Sequence, residues 1–256
     1  MTIFEIIVLI ISGIFVGFIN TLAGGGTAIS LAVLVMLGLP VNIANGTHRI
    51  AAVFQTLTSA ATFNKQKVLD VKKGFLLSIP VMIGSVIGAR IAVDVNEAFF
   101  KKAVAISILI MLIFMIVKPA AWIYGKPQAD FSKVSLKQII IFFIIGIYGG
   151  FIHIGVGYFL LAGIVMAASY DILKANAIKV FIVLLYLPFA LLIFILNDQV
   201  NYMYGLVHAI GNVIGAFIGA RMAVKGGAKA VRWIMVFITI FIVLYFFDVI
   251  NLSQLI

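Results

Sequence analysis

The sequence predicts an all-α polytopic membrane protein made of two inverted repeats. Each repeat would hold about four long transmembrane helices plus a short glycine-interrupted helix, re-entrant or half-spanning. Three observations predict it. Hydrophobic residues make up 64% of the chain, charged residues 10%, and mean hydropathy is +1.27, whereas soluble domains are about half apolar and one quarter charged. The sequence also repeats itself: Gly84-Ser85-Val86-Ile87-Gly88-Ala89-Arg90 returns as Gly215-Ala216-Phe217-Ile218-Gly219-Ala220-Arg221, an offset of 131 (215 − 84). Finally, Lys and Arg are distributed unequally over equivalent loops, as inverted halves require.

Apolar runs at 3–22, 41–63, 74–92 and 97–117 in the first half, and at 137–154, 172–196, 203–220 and 232–250 in the second, are each of order 20 residues, enough for a helix across about 30 Å of hydrocarbon. They are continuously apolar rather than alternating, which favours helices over barrel strands. Inversion needs an odd number of crossings per half, so a fifth element is expected in each. Residues 27–38 and 158–169 supply it: twelve-residue apolar segments, about 18 Å of helix, each directly after a glycine cluster. The domain reading is a first repeat at 1–117, a cytoplasmic linker at 118–136 and a second repeat at 137–256. Eight plain spans in two parallel repeats are the competing layout.

The loop at 64–73 carries Lys65, Lys67, Lys72 and Lys73, while its equivalent at 197–203 carries no Lys or Arg. These two loops should face opposite sides. The linker, with Lys118, Lys126 and Lys133, and the 221–232 segment, with Arg221, Lys225, Lys229 and Arg232, both read as cytoplasmic loops. Both termini would then lie outside the cytoplasm, and the first apolar run would be a retained span, since no basic n-region or A-x-A site precedes it. The formal charge of +10 is thereby an orientation signal, and no nucleic-acid partner is expected. The chain has no cysteine, so disulfides, thiolate metal sites and cysteine nucleophiles are excluded; no cofactor or metal is expected.

The candidate site lies at the glycine breaks. Gly24-Gly25-Gly26-Thr27 and Gly155-Val156-Gly157 occupy matching positions. A short helix starting after each break would aim free N–H groups and a positive dipole end at a ligand beside the glycines; the alternative role for such glycines is close helix packing. Arg49 and Lys179 fall eight or nine residues inside their spans, where a cation costs about 2.5 to 3.5 kcal/mol on insertion scales, and every acidic residue falls at a span end or in a loop. Three readings stand for these cations: counter-charges for an anionic substrate, side chains that snorkel to an interface, or hydrogen-bond donors to backbone carbonyls at helix breaks. Asn45 and Asn176 sit three residues before His48 and Lys179, the members of each pair on one helical face; they could bind oxyanion oxygens or join helices. His48 and His153 are the candidates for proton coupling, alongside His208. The repeated Gly-x-x-x-Gly-Ala-Arg reads as a packing face, with Arg90 and Arg221 capping helix ends.

Ala23-Gly24-Gly25-Gly26, then Gly38-Leu39-Pro40 and Ala44-Asn45-Gly46-Thr47, give the chain a resemblance to the sulfite exporter TauE/SafE family of bacterial membrane proteins, extending through both repeats. The resemblance implies export of sulfite or a small organosulfonate across the bacterial inner membrane. Together with the residue reading, it leads to the expectation of a secondary transporter working by alternating access, with a small anion and the lipid bilayer as partners and a homo-oligomer as a further expectation. An anion channel is the main rival. An intramembrane enzyme would need a buried nucleophile with its base, or a carboxylate pair at depth, and the sequence offers neither.

Overall fold

A computed structural model describes residues 1–104, 106–107, 134–168 and 170–246; the 118–136 linker and the end of the 97–117 span lie almost wholly outside the described residues. The described chain is helical throughout: α1 (Ile3–Leu22), α2 (Thr27–Met36), α3 (Val41–Lys65), α4 (Val71–Asp94), α5 (residues 97–104), α6 (Leu136–Phe151), α7 (Val156–Ala168), α8 (Ile172–Leu196) and α9 (Tyr202–Phe246). Among the described residues, four helical stretches are long and apolar enough to cross a membrane: Ile3–Leu22, Val71–Asp94, Ile172–Leu196 and Tyr202–Gly226. α3 is as long as α8, but Asn45, His48, Arg49 and Gln55 make it the polar helix of the bundle.

The 131-residue offset reappears in the element bounds. α3 begins at 41 and ends at 65, α8 begins at 172 and ends at 196, and α4 and α9 begin at 71 and 202. The N-caps match too: Asp70 accepts from the Lys73 amide, and Asn201 from the Tyr204 amide. The short elements expected at 27–38 and 158–169 are α2 and α7. One expectation fails: residues 221–232 are not a loop, because α9 runs helically from 202 to 246, about 68 Å at 1.5 Å per residue. Nothing in that stretch forces a stop, since it holds no proline, and a Gly226-Gly227 pair lowers helix propensity without ending a helix. Arg221 therefore caps no helix end; its guanidinium lies 4.3 Å from the centre of the Phe217 ring. Arg90 sits on the exposed side of the last turns of α4.

The packing is exchanged between halves. α1 packs on α9, and its counterpart α6 packs on α4. The repeated small residues make these contacts: Gly84 and Gly88 press against the carbonyls of Phe143 and Ile147 on α6, and Gly215 against that of Ile14 on α1. Added methyl groups would collide with backbone, so the packing reading of the Gly-x-x-x-Gly pattern holds.

Within each half the chain makes a helical hairpin at its glycine break. α2 runs back along α1, Gly26 lying against Val16 while Leu34 joins Leu9 and Ala44 in one cluster. α7 runs back along α6, with Val156 near Gly149, Tyr148 stacked edge-on against Phe159, and Gly163 near Phe142. The molecule is inside out by soluble standards. Ile7, Ile11, Ile83, Ile87, Ile144 and Ile214 are exposed on the rim, whereas Asn20, Ser30, Asn45, His48, Arg49 and Asn212 are buried, the distribution lipid demands of its solvent-facing surface.

Candidate functional site

The two hairpin tips meet. Gly24 has φ +96° and Gly155 has φ +69°, a backbone region that other residues reach only with strain. A Cβ built on Gly24 would lie 2.5 Å from Gly157 Cα, and one on Gly157 would lie 2.6 Å from Gly24 Cα. Gly24 and Gly157 thus form the closest contact between the tips. Of the neighbouring glycines, Gly25 packs beneath the Tyr158 ring, and Gly26 sits against the Val16 carbonyl. Thr27 opens α2 and is fully buried.

Each tip ends a helix whose last carbonyls have no intrahelical partner, and each set is met by the buried cation of the other half. Lys179, on α8, donates to the carbonyls of Asn20 at 3.1 Å and Thr21 at 3.3 Å at the end of α1. Arg49, on α3, donates through Nη1 to Gly149 at 3.2 Å and through Nη2 to Gly150 at 2.6 Å at the end of α6. These carbonyls carry the negative end of the helix dipole, so the charges are compensated without any carboxylate. The carbonyl-donor reading therefore accounts for the place of both cations, although Arg49 Nε has no hydrogen-bond partner among the described residues. The offset of 131 pairs Lys179 with His48, but Arg49 is its structural equivalent. The reason is a shift in the first helix of each half: Gly149 and Gly150 stand where Asn20 and Thr21 stand at an offset of 129 (149 − 20).

A small cavity beside the tips is lined by Asn20, Gly24, Gln55, His153, Gly157 and Lys179 among others. Of the residues expected to form the site, Gly24, Gly157, Lys179 and His153 reach this cavity. Asn45, His48, Arg49 and Asn176 lie elsewhere in the buried polar interior. Asn45 Nδ2 donates to the Phe151 carbonyl at 3.0 Å, so it joins helices, while both polar atoms of the Asn176 side chain have no hydrogen-bond partner among the described residues. Among the lining residues that were not site candidates, Asn20 and Gln55 carry side-chain amides. Asn20 Nδ2 donates to Gln55 Oε1 at 3.2 Å; Gln55 lies seven residues beyond His48, two turns along the polar face of α3, and that periodicity is the signal that points to it. Asn20 is the last polar residue but one before the break.

Chemically, the cavity sets a few polar groups, Lys179 foremost, among the apolar side chains of Val156, Val180 and Val183. An ammonium has three N–H bonds, and two of Lys179's are directed at carbonyls, leaving one for the cavity. Gly157 and Val156 lie in the first turn of α7, whose leading N–H groups lack intrahelical acceptors and carry the positive dipole end. Among the described residues no group of three or more His, Cys, Asp or Glu is placed to hold a metal ion.

Residues 9–246 match the sequence model of the family described as Sulfite exporter TauE/SafE. The chain belongs to that family. Relatives include a "Probable membrane transporter protein" of Haemophilus influenzae, 24% identical over 78% of each chain. Another is the "Probable membrane transporter protein YunE" of Bacillus subtilis, 24% identical over 78% of this chain and 82% of its own. A third is the "Probable membrane transporter protein YfcA" of Escherichia coli K12, 24% identical over 76% and 72%. No solved structure matches the chain significantly. This TauE/SafE protein is accordingly a multi-pass membrane transporter, not an enzyme, with a small substrate and a bilayer around it.

Proposed function

We propose that the protein is a secondary transporter that moves a small oxyanion, sulfite or a small organosulfonate, across the bacterial inner membrane by alternating access. The observation that carries this reading is the Lys179 ammonium at the cavity. Anchored on the α1 carbonyls with one N–H to spare, it faces the start of α7, where a ligand oxygen would meet both cation and helix dipole. Asn20 and Gln55 supply amides for the remaining oxygens. The family's description names sulfite, an oxyanion whose charge the Lys179 ammonium and the start of α7 would both favour.

Inverted repeats with re-entrant tips are part of the same proposal, and the sense of the packed helices supports them. α1 and α3 run parallel, since Leu9 clusters with Ala44, Asn20 bonds Gln55, and Thr21 bonds Ser59 at 2.7 Å. The short turn after α3 reverses the chain into α4. α6 runs parallel to α4, Gly84 meeting Phe143 and Gly88 meeting Ile147, and is therefore antiparallel to α1, its counterpart. Two opposed hairpins meeting at Gly24 and Gly157 suit a site between the halves, the arrangement that rocking transporters use.

The test is uptake of labelled sulfite and sulfoacetate into proteoliposomes, with chloride and sulfate as competitors. Saturable flux that falls at least tenfold in Lys179→Met is the expected result. Unsaturable, high-conductance current would replace the carrier with a channel, and undiminished flux in Lys179→Met would remove Lys179 from the site.

A further inference from the structure

A chain of buried side chains leads away from the cavity and has a fixed hydrogen-bond polarity. His208 Nδ1 lies 2.9 Å from the Leu9 carbonyl, and a carbonyl only accepts, so that nitrogen carries a proton. In neutral His208, Nε2 is then an acceptor, and the Ser30 hydroxyl 2.6 Å away donates to it. Ser30 Oγ in turn accepts from His48 Nδ1 at 2.8 Å. Neutral His48 is left with a bare Nε2 lone pair, which has no hydrogen-bond partner among the described residues. The His153 ring stands beside it, centroid to centroid 5.6 Å. His153 is held by Tyr186 Oη at 2.7 Å from Nδ1 and lines the cavity. Ser30, His48 and His208 are each 0% exposed, so water does not compete for these bonds.

We propose that Ser30, His48 and His208 form a proton relay. Loaded from the cavity through His153, it makes the transporter carry a proton together with its anion. The proposal rests on the function proposed above. One proton arrives at His48 Nε2, the Nδ1 proton of His48 passes to Ser30 Oγ, and the Ser30 proton passes to His208 Nε2. One proton enters and His208 becomes the imidazolium, both its N–H groups hydrogen-bonded, to Leu9 and to Ser30. His48 ends neutral, with its Nε2 proton turned toward His153. The charge thus comes to rest at the contact between α9 and α1, one of the pairings between halves, where it bears on their relative position. An anion in the cavity and a proton on this network stabilise each other, and that coupling is reciprocal. The charged and titratable groups around His48 are Arg49 on its own helix, His208 on α9 and His153 at the second break; Arg49 is already committed to the α6 carbonyls.

The test uses the full chain in proteoliposomes containing a pH dye, with a sulfoacetate gradient at pH 7.5, where that anion is fully dissociated and any proton that moves is carried by the protein. Wild type is expected to move protons with sulfoacetate in fixed ratio. Ser30→Ala, a small change, is expected to keep sulfoacetate binding within threefold while the ratio of protons to anion falls at least tenfold; Ser30→Thr, which keeps the hydroxyl, restores it. Sulfoacetate flux in wild type without protons, or an unchanged ratio in Ser30→Ala, overturns the relay and leaves the anion carrier standing. No sulfoacetate flux at all counts against the proposed function, and the relay is then judged by ¹⁵N NMR of the three histidines. The relay requires protons on Nδ1 of His48 and His208 and the first proton added on acidification to appear on His208. A spectrum in which His153 alone takes that proton, or which Ser30→Ala leaves unchanged, overturns it.

Discussion

The two cation clamps are built alike and used differently. Arg49 and Lys179 each leave a long helix of one half to hold the last carbonyls of the first helix of the other. Arg49 gives one bond from each terminal nitrogen to a carbonyl, its guanidinium lies 4.7 Å from the centre of the Phe194 ring, and it does not line the cavity beside the tips. Lys179 has one donor more than its two carbonyls use, and it lines the cavity. A planar fork suits two fixed acceptors, while an ammonium on a flexible stem suits a partner that comes and goes. The difference between arginine and lysine thus separates the clamp that lies away from the cavity from the one that lines it.

The largest expected effect breaks the structural clamp. Arg49→Leu leaves the Gly149 and Gly150 carbonyls buried and unpaired, a loss of about 1 to 3 kcal/mol for each unsatisfied group. Thermal unfolding in detergent should show it as a large drop in melting temperature or loss of folded protein. Lys179→Met removes the same kind of contact, but from a cavity with room for polar partners to rearrange. Its fold should survive with a smaller loss, and anion affinity should fall by about 1.5 to 3 kcal/mol, the range for hydrogen bonds to charged groups. Equal stability losses in the two variants would abolish the distinction between the clamps.

Next in size is the contact between tips. Gly157→Ala places a methyl against Gly24 Cα and should cost about 1 to 3 kcal/mol as overpacking, the loss falling on transport as well as stability because the tips border the cavity. Gly38→Ala is the control with the opposite features: unlike Gly157 it has positive φ, +92°, and nothing lies within 4 Å of an added Cβ. It should carry only the backbone strain, about 1 kcal/mol, with flux unchanged. Flux measured beside melting temperature separates the two, and a Gly157→Ala protein with normal transport would remove the tips from the mechanism.

Much of this arrangement is legible in the chain. Continuous apolar runs locate α1, α3, α4 and α8 nearly to the residue, because lipid requires length and hydrophobicity together, and the glycine clusters locate both breaks. The cations are legible as buried, but their partners are not: main-chain carbonyls at a helix end leave no mark in the side-chain pattern, so an ionic substrate and a helix C-terminus look the same from sequence. The match of His48 with Lys179 misleads for a related reason, since a two-residue shift within a helix preserves hydropathy while changing which side chain meets the break. Ser30 could not be singled out, being one small hydroxyl in an apolar helix whose role depends on histidines 18 and 178 residues away. The continuous α9 was missed because basic residues were read as a loop signal, and backbone propensity there permits a helix as readily as a turn.

The smallest effect lies outside the membrane-spanning segments, where the second half touches the start of α4. Burial disfavours ionisation of Asp70, but the Lys73 amide, the Tyr170 hydroxyl at 2.6 Å and the charges of Lys73 and Lys174 outweigh it and hold the carboxyl below its usual 3.8. Burial, and then Asp70 itself, push the Tyr170 hydroxyl up, so it remains the donor. A carboxyl lowered by folding adds stability that is present above the unfolded value and is lost as pH falls through the folded one. Asp70→Ala removes both the cap of α4 and the tie to the turn before α8, for about 1 kcal/mol at neutral pH. Asp70→Asn keeps a capping oxygen and loses only the charge-dependent part. Melting curves at pH 7 and below 4 decide it: the gap between wild type and Asp70→Asn should narrow in acid. A gap that stays constant would mean that Asp70 acts as a neutral cap and that the tie through Tyr170 contributes nothing.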